Sequence, residues 1–288
     1  MRAGHTTEGV DAEPDHADRP AANAAVADLK VEQTGVLDWK AVEQWAADEG
    51  WNPGAGDALL FQAVDPAGFL IGTLNGRLVS AISVVNYDEH YAHIGYFLVT
   101  PSLRGLGIGT ATWSAAIGHA GDRAIGLDAV PEQVDRYSRH GFRPAWRTIR
   151  FTGPVPAQPP LAGGNITEPT TPDLGLMATL DAACFPAGHV DGYGVLRRAW
   201  HGWRIGPLYA ESPKAAAALF DALCDRAQRL KATGITIDVP ETNRAALDLA
   251  EAHGLSHAGE TIRMYRPGRT GLRPTGAHAY GLTSLEVG

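Results

Sequence analysis

At 288 residues, 44% hydrophobic and 19% charged, the chain has room for two ordinary soluble domains, each with its own core. Its net charge of −8 argues against a nucleic-acid or membrane-surface binder, and no apolar run reaches the roughly 18 residues that cross a bilayer. No charged-then-apolar signal pattern opens the chain. Cys184 and Cys224 sit in apolar, helix-like surroundings as reduced core residues do, so a cytoplasmic location is expected.

Residues 1–27 are rich in Ala, Asp, Glu, His and Thr without a periodic apolar face, the pattern of a disordered tail. Order is expected from Asp28. Asp38 is placed to cap a helix over Lys40–Glu49, whose Val42, Trp45 and Ala46 share one face and which Gly50 stops. A helical turn over Asp57–Ala63 precedes a hairpin, in which Phe69–Leu74 and Leu78–Val85 flank Asn75-Gly76, the dipeptide of a type I′ turn. After a turn at Tyr87–Tyr91, Ala92–Val99 continues the antiparallel meander. It runs into Thr100-Pro101 and then Arg104-Gly105-Leu106-Gly107-Ile108-Gly109-Thr110, a glycine-rich turn opening a helix from Gly107 to about His119. Ala124–Val130 reads as a strand, Pro131–His140 as a helix stopped by Gly141, and Phe142–Phe151 as a closing strand.

Proline and glycine then mark a linker over 154–164, which divides the chain into domains at 28–153 and 165–288. The second half is expected to hold a helix over Pro172–Cys184, a passage rich in glycine and aromatics to Tyr209, and a long helix over Pro213–Thr233. A strand at Ile235–Val239, a helix at Asn243–His253, a strand at Ala258–Tyr265 and a last strand at Tyr280–Val287 complete it. This repeats the element order of the first half's later part, as an internal duplication would.

The glycine loop joins a strand to a helix, so unpartnered first-turn N–H groups and the helix dipole form a site for a phosphate or pyrophosphate. A nucleoside-triphosphate loop needs a lysine after its last glycine, and Gly109 is followed by Thr110-Ala111. A dinucleotide loop needs G-x-G-x-x-G, but Thr110 stands where the third glycine belongs and an antiparallel meander precedes the loop. Asp128 nevertheless imitates the ribose-binding acid of such folds. A glycine turn of purely structural use is the bland alternative.

Arg104, Gly107 and Gly109 match R/Q-x-x-G-x-G/A, preceded by Val99-Thr100-Pro101 and followed by Tyr137-Ser138-Arg139-His140-Gly141-Phe142. On these motifs residues 28–153 resemble the GNAT N-acetyltransferase superfamily. Gly206–Ala210 and Arg263-Met264-Tyr265 make the whole chain similar to a bacterial tandem-GNAT group. The resemblance implies an α/β fold with a mixed sheet and two GNAT-like domains in tandem. Acetyl-CoA is then the cosubstrate, with no metal, and lies in a V between the strands Ile94–Val99 and Ala124–Val130. Backbone groups of Leu98 and Val99 would pair with the pantetheine. The amides of Gly105, Leu106, Gly107, Ile108, Gly109 and Thr110 would hold the pyrophosphate beside Arg104.

Acyl transfer to an amine needs a neutral amine, a donor for the thioester oxyanion and an acid for the leaving thiolate. Tyr137 matches the family tyrosine beside the CoA sulfur; the alternative is a packing tyrosine. A backbone N–H of Val99 or Leu98 is the oxyanion donor the resemblance implies. The strand before the loop lacks the glutamate many members carry there. His93, Asp128, Asp88, Glu89 and His90 are candidate bases, with His93 closest to neutral pH, and Tyr96 could line the acceptor pocket.

The corresponding junction of the second half, Gly206–Ala215, lacks the glycines and arginine, and Pro213 lacks an N–H. Ala250 and Leu255 stand where the tyrosine and phenylalanine belong. A degenerate domain that braces the first is expected, with Tyr193, Trp200, Trp203 and Tyr209 as candidate wall residues. The leading function is an N-acetyltransferase acting on a small-molecule primary amine, as monomer or homodimer, with no nucleic acid or membrane partner. The alternatives are a protein amine as acceptor or a non-catalytic acyl-CoA sensor.

Overall fold

The computed structural model describes residues 26–156, 166–169, 191–269, 278–286 and 288. Its first half opens with strand β1 (Lys30–Gln33), helix α1 (Val36–Asp48) and helix α2 (Asp57–Val64). Helix α1 begins a turn earlier than Asp38 indicates, with Gly35 at its N-cap. The meander follows as β2 (Phe69–Leu74), β3 (Arg77–Asn86) and β4 (Tyr91–Val99). Asn75 and Gly76 both take positive φ, 49° and 73°, as a type I′ turn demands. Helix α3 (Ile108–Ala116), strand β5 (Ala124–Ala129), helix α4 (Val134–Arg139) and strand β6 (Arg143–Gly153) close this half.

The second half supplies β7 (Gly192–Arg198), β8 (Trp203–Ala210), α5 (Pro213–Arg229), β9 (Ile235–Pro240), α6 (Arg244–Ala252), β10 (Ser256–Arg266) and β11 (Ala279–Gly281). The expected helix at Pro172–Cys184 lies outside the described residues. The last strand is shorter than Tyr280–Val287: pairing covers Ala279–Gly281, and the chain then turns.

All the described strands join one 11-stranded sheet in the order β1-β2-β3-β4-β5-β10-β6-β9-β8-β11, with β7 on β8. The order shows an exchange. Strand β10, from the second half, lies between β5 and β6 of the first, antiparallel to both, while β6 pairs with β9 of the second. Each half thus completes the other's sheet. Three buried clusters cover it: one beneath α3 around Trp113, Ile125 and Phe142, one beneath α1 around Trp39, Phe69 and Tyr96, and one beneath α5 and α6 around Phe220 and Ile237.

Candidate active site

Strands β4 and β5 are parallel and paired from Tyr91↔Ala124 to Ile94↔Leu127, after which they part. The cause lies in β4. Between Gly95 and Leu98 it carries one residue more than β3 opposite it, and Tyr96 takes φ 46°, the left-handed region a tyrosine rarely enters. What holds Tyr96 there is burial. Its ring is 1% exposed and packs edge-on against Trp39, 5.5 Å away.

The divergence opens a cavity of about 620 Å³. It is lined by Trp51, Leu98, Val99, Arg104, Gly105, Asp128, Gln133, Arg136, Tyr137 and Arg150 of the first half and by Glu260, Thr261 and Glu286 of the second. The end at Arg104 suits an anion. Gly105 and Gly107 take φ 81° and 84°, and α3 starts with no side-chain cap, so the first-turn amides face outward. Arg136 lies over the Phe97 ring, 5.4 Å from its centre, and against Gly109. Arg104 donates Nε–H to the Val99 carbonyl (3.0 Å) and pairs with Glu49 (2.8 Å).

In β4 the Thr100 amide donates to Val79 on β3. Successive amides point to opposite edges, so Leu98 also faces β3 and Val99 faces the cleft. Tyr137 lines the cavity between Trp113 and Phe142, and burial pushes its phenol up to about 12.

The structure sets His93 apart from the cavity. It is a fully buried residue of β4, its Nδ1 3.1 Å from the Tyr91 hydroxyl, and burial, then Arg263, hold it well below the usual histidine range. A neutral imidazole with no exposed surface cannot touch an acceptor. Asp128 borders the cavity, but its carboxylate has no exposure and is gripped by Arg263 of β10, Nε–Oδ1 2.9 Å and Nη2–Oδ2 2.7 Å. Asp88 accepts from the amides of His90 and Tyr91 and shapes their turn, where Glu89 and His90 are exposed. Leu106, Gly107, Ile108, Gly109 and Thr110 form the loop at the anion end without bordering the cavity itself. The residues that sequence reasoning missed come chiefly from the second half: Arg263, Thr261, Glu260 and Glu286. Their neighbourhood depends on the strand exchange, for which the sequence carries no signal. Trp51, Arg136 and Arg150 were missed as well.

The second half holds a closed counterpart. Strands β8 and β9 are parallel up to Ile205↔Ile237 and then part, as β4 and β5 do. Strand β11 fills the gap: it pairs with Leu208 and Tyr209, the Leu282 amide donates to the Asp238 carbonyl, and the Leu282 carbonyl lies on Gly206. Ser212 caps α5 by accepting from the Ala215 amide. Tyr193, Trp203 and Tyr209 do not border the first cavity, and Trp200 borders a separate one of about 430 Å³ beside Leu37 and Leu59.

Two family models match this chain, the acetyltransferase (GNAT) family over residues 36–142 and the acetyltransferase (GNAT) domain over 177–281. Holothin acyltransferase of Pseudoalteromonas sp. (strain SANK 73390) is 34% identical over 280 residues, 87% of this chain and 92% of that protein. The chain belongs to the GNAT family. It carries two GNAT domains in tandem and is an N-acyltransferase, so the cosubstrate class is acyl-CoA. A tandem GNAT protein from the clavulanic acid biosynthesis pathway shares the fold, with TM-score 0.57 and 16% identity over 82% of this chain and 98% of that one. A crystal structure from Pyrococcus horikoshii matches at TM-score 0.70 and 22% identity over 91% and 96%. Among the described residues no cluster of metal-binding side chains occurs, and no helix is long and apolar enough to cross a membrane.

Proposed function

We propose that this GNAT chain moves an acetyl group from acetyl-CoA to a primary amine of a small molecule, directly, with both substrates bound. The observation that carries the reading is the cleft itself. It is lined by Arg104, Gly105 and Tyr137 of the first half and by Glu260, Thr261 and Glu286 of the second. The pyrophosphate lies at the amides of Gly105–Thr110 beside Arg104 and Arg136, and the thioester carbonyl accepts from the Val99 amide. The amine nitrogen attacks the carbonyl carbon, the C–S bond breaks, and the sulfur leaves toward Tyr137. A phenol near 12 is a weaker acid than a thiol at about 8.5, so Tyr137 acts first as a hydrogen-bond donor to the developing thiolate.

A cleft of about 620 Å³ in all, shared with the cosubstrate, suits a compact acceptor better than a folded protein surface. The similar holothin acyltransferase is named for a single compound, which favours the same class. The test is a screen of small amines and lysine peptides with acetyl-CoA, read by thiol release. Turnover with a small amine is expected. Turnover confined to peptides would reject the small-molecule acceptor, and acetyl-CoA binding without any turnover would favour the sensor.

A further inference from the structure

The two clefts are built on one plan, and the difference between them is informative. The last paired rung is Ile94↔Leu127 in the first half and Ile205↔Ile237 in the second, so Asp128 and Asp238 follow at equivalent points. An arginine from the exchanged strand stands in register with each, Arg263 with Asp128 and Arg150 with Asp238, and grips it through two nitrogens. One position before the rung, the halves differ. The second half has Arg204, fully buried and paired with Asp238, whereas the first has His93, its Nε2 3.8 Å from Asp128.

Burial favours protonation of Asp238, but Arg150 and Arg204 outweigh it and hold the group far below the usual carboxylate range. Asp128 has one arginine and a neutral imidazole, and burial prevails: its carboxyl is raised. The groups facing Asp128 are His93 and Tyr91 from β4, Arg263 and Tyr265 from β10, and, farther off, Arg150, Asp238 and Glu286. The carboxylate is sealed from the cavity, yet Thr261 both borders the cavity and has its Oγ1 3.5 Å from Asp128 Oδ1.

We propose that Thr261 and Asp128 form a relay that takes the proton shed by the acceptor amine, with Arg263 positioning Asp128. This rests on the acyltransfer reading above. The ammonium gives its proton to Thr261 Oγ1 as the Thr261 hydroxyl proton passes to Asp128 Oδ1. One N–H and one O–H bond break and two O–H bonds form. The contact is expected to tighten once substrates are bound, as catalytic hydrogen bonds commonly do. The second half thus supplies one of the two relay residues, Thr261, and the arginine that positions the other.

The test measures kcat/KM for the amine across pH, at saturating acetyl-CoA, for Asp128→Asn, Thr261→Val, the double variant, Thr261→Ser and His93→Arg. Each of the first two is expected to lower the plateau about 100-fold, the double variant no further, and Thr261→Ser to restore most of the rate. His93→Arg, which recreates the silent copy's second cation, is expected to move the acid limb down by about one pH unit. Additive losses, a Thr261→Val rate within threefold of wild type, or an unmoved acid limb would each overturn the relay. If the wild-type chain acetylates no amine, the acyltransfer reading itself falls, which is a separate outcome.

Discussion

The main-chain carbonyl of Glu286 rests on Gly95 so closely that a Cβ there has no room, and four residues earlier the Leu282 carbonyl rests on Gly206 in the same way. Gly95 and Gly206 are the first residues past the last paired rung of their strands. A single short segment therefore closes the inner corner of both clefts, and the first keeps an open cavity beyond it.

Gly95→Ala is expected to push the Glu286 main chain off β4. Overpacking of this kind costs about 1–3 kcal/mol. Hydrogen exchange should report it as faster exchange at residues 284–286 and in β4, with acetyl-CoA affinity little changed, because the anion end lies elsewhere. Unaltered exchange there would show that the segment is not held as described.

Tyr137→Phe keeps the ring between Trp113 and Phe142 and removes only the hydroxyl. The expected result is an unchanged KM for acetyl-CoA and a kcat lower by about 10–100-fold, the scale of one lost charge-assisted hydrogen bond in the transition state. An undiminished kcat would leave Tyr137 a packing residue.

Isothermal titration with acetyl-CoA is expected to give one site per chain. The second cleft is filled by β11, and Ser212 satisfies the amide of Ala215 at its helix N-terminus. Two equivalent sites would contradict this assignment.

Much of this was legible in the residues. Asn75-Gly76 announced the hairpin, and the glycines after Arg104 announced the strand-to-helix turn, because turns and loops depend on conformations that glycine and asparagine alone adopt cheaply. The bulge was not legible. It turns on Tyr96, which has no intrinsic preference for positive φ and is held there by Trp39. Nor was the grip of Arg263 on Asp128: each belongs to an ordinary strand, and only the sheet order makes them neighbours. His93 looked useful by its solution pKa, but burial in the fold governs its ionisation.

Acid should loosen the second half through Asp238. Arg150 and Arg204 depress its folded pKa below the unfolded value of about 3.9. The stabilisation is thus complete above that value and declines as pH falls through it. Asp238→Asn, which leaves two buried arginines short of a charge, is expected to cost about 3–5 kcal/mol at neutral pH in a denaturant titration. The acid-dependent loss of stability below about pH 4 should shrink in the same variant. A loss under 1 kcal/mol would mean that the site relaxes to admit water.

The strand exchange has a consequence for biosynthesis. When β6 leaves the ribosome, the edges of β5 and β6 that receive β10 stay bare until residue 266 has been made. An exposed strand edge invites pairing with other chains. The nascent first half is therefore a natural client for chaperones, and a gene cut at the linker should yield two aggregating fragments that recover soluble form when co-expressed.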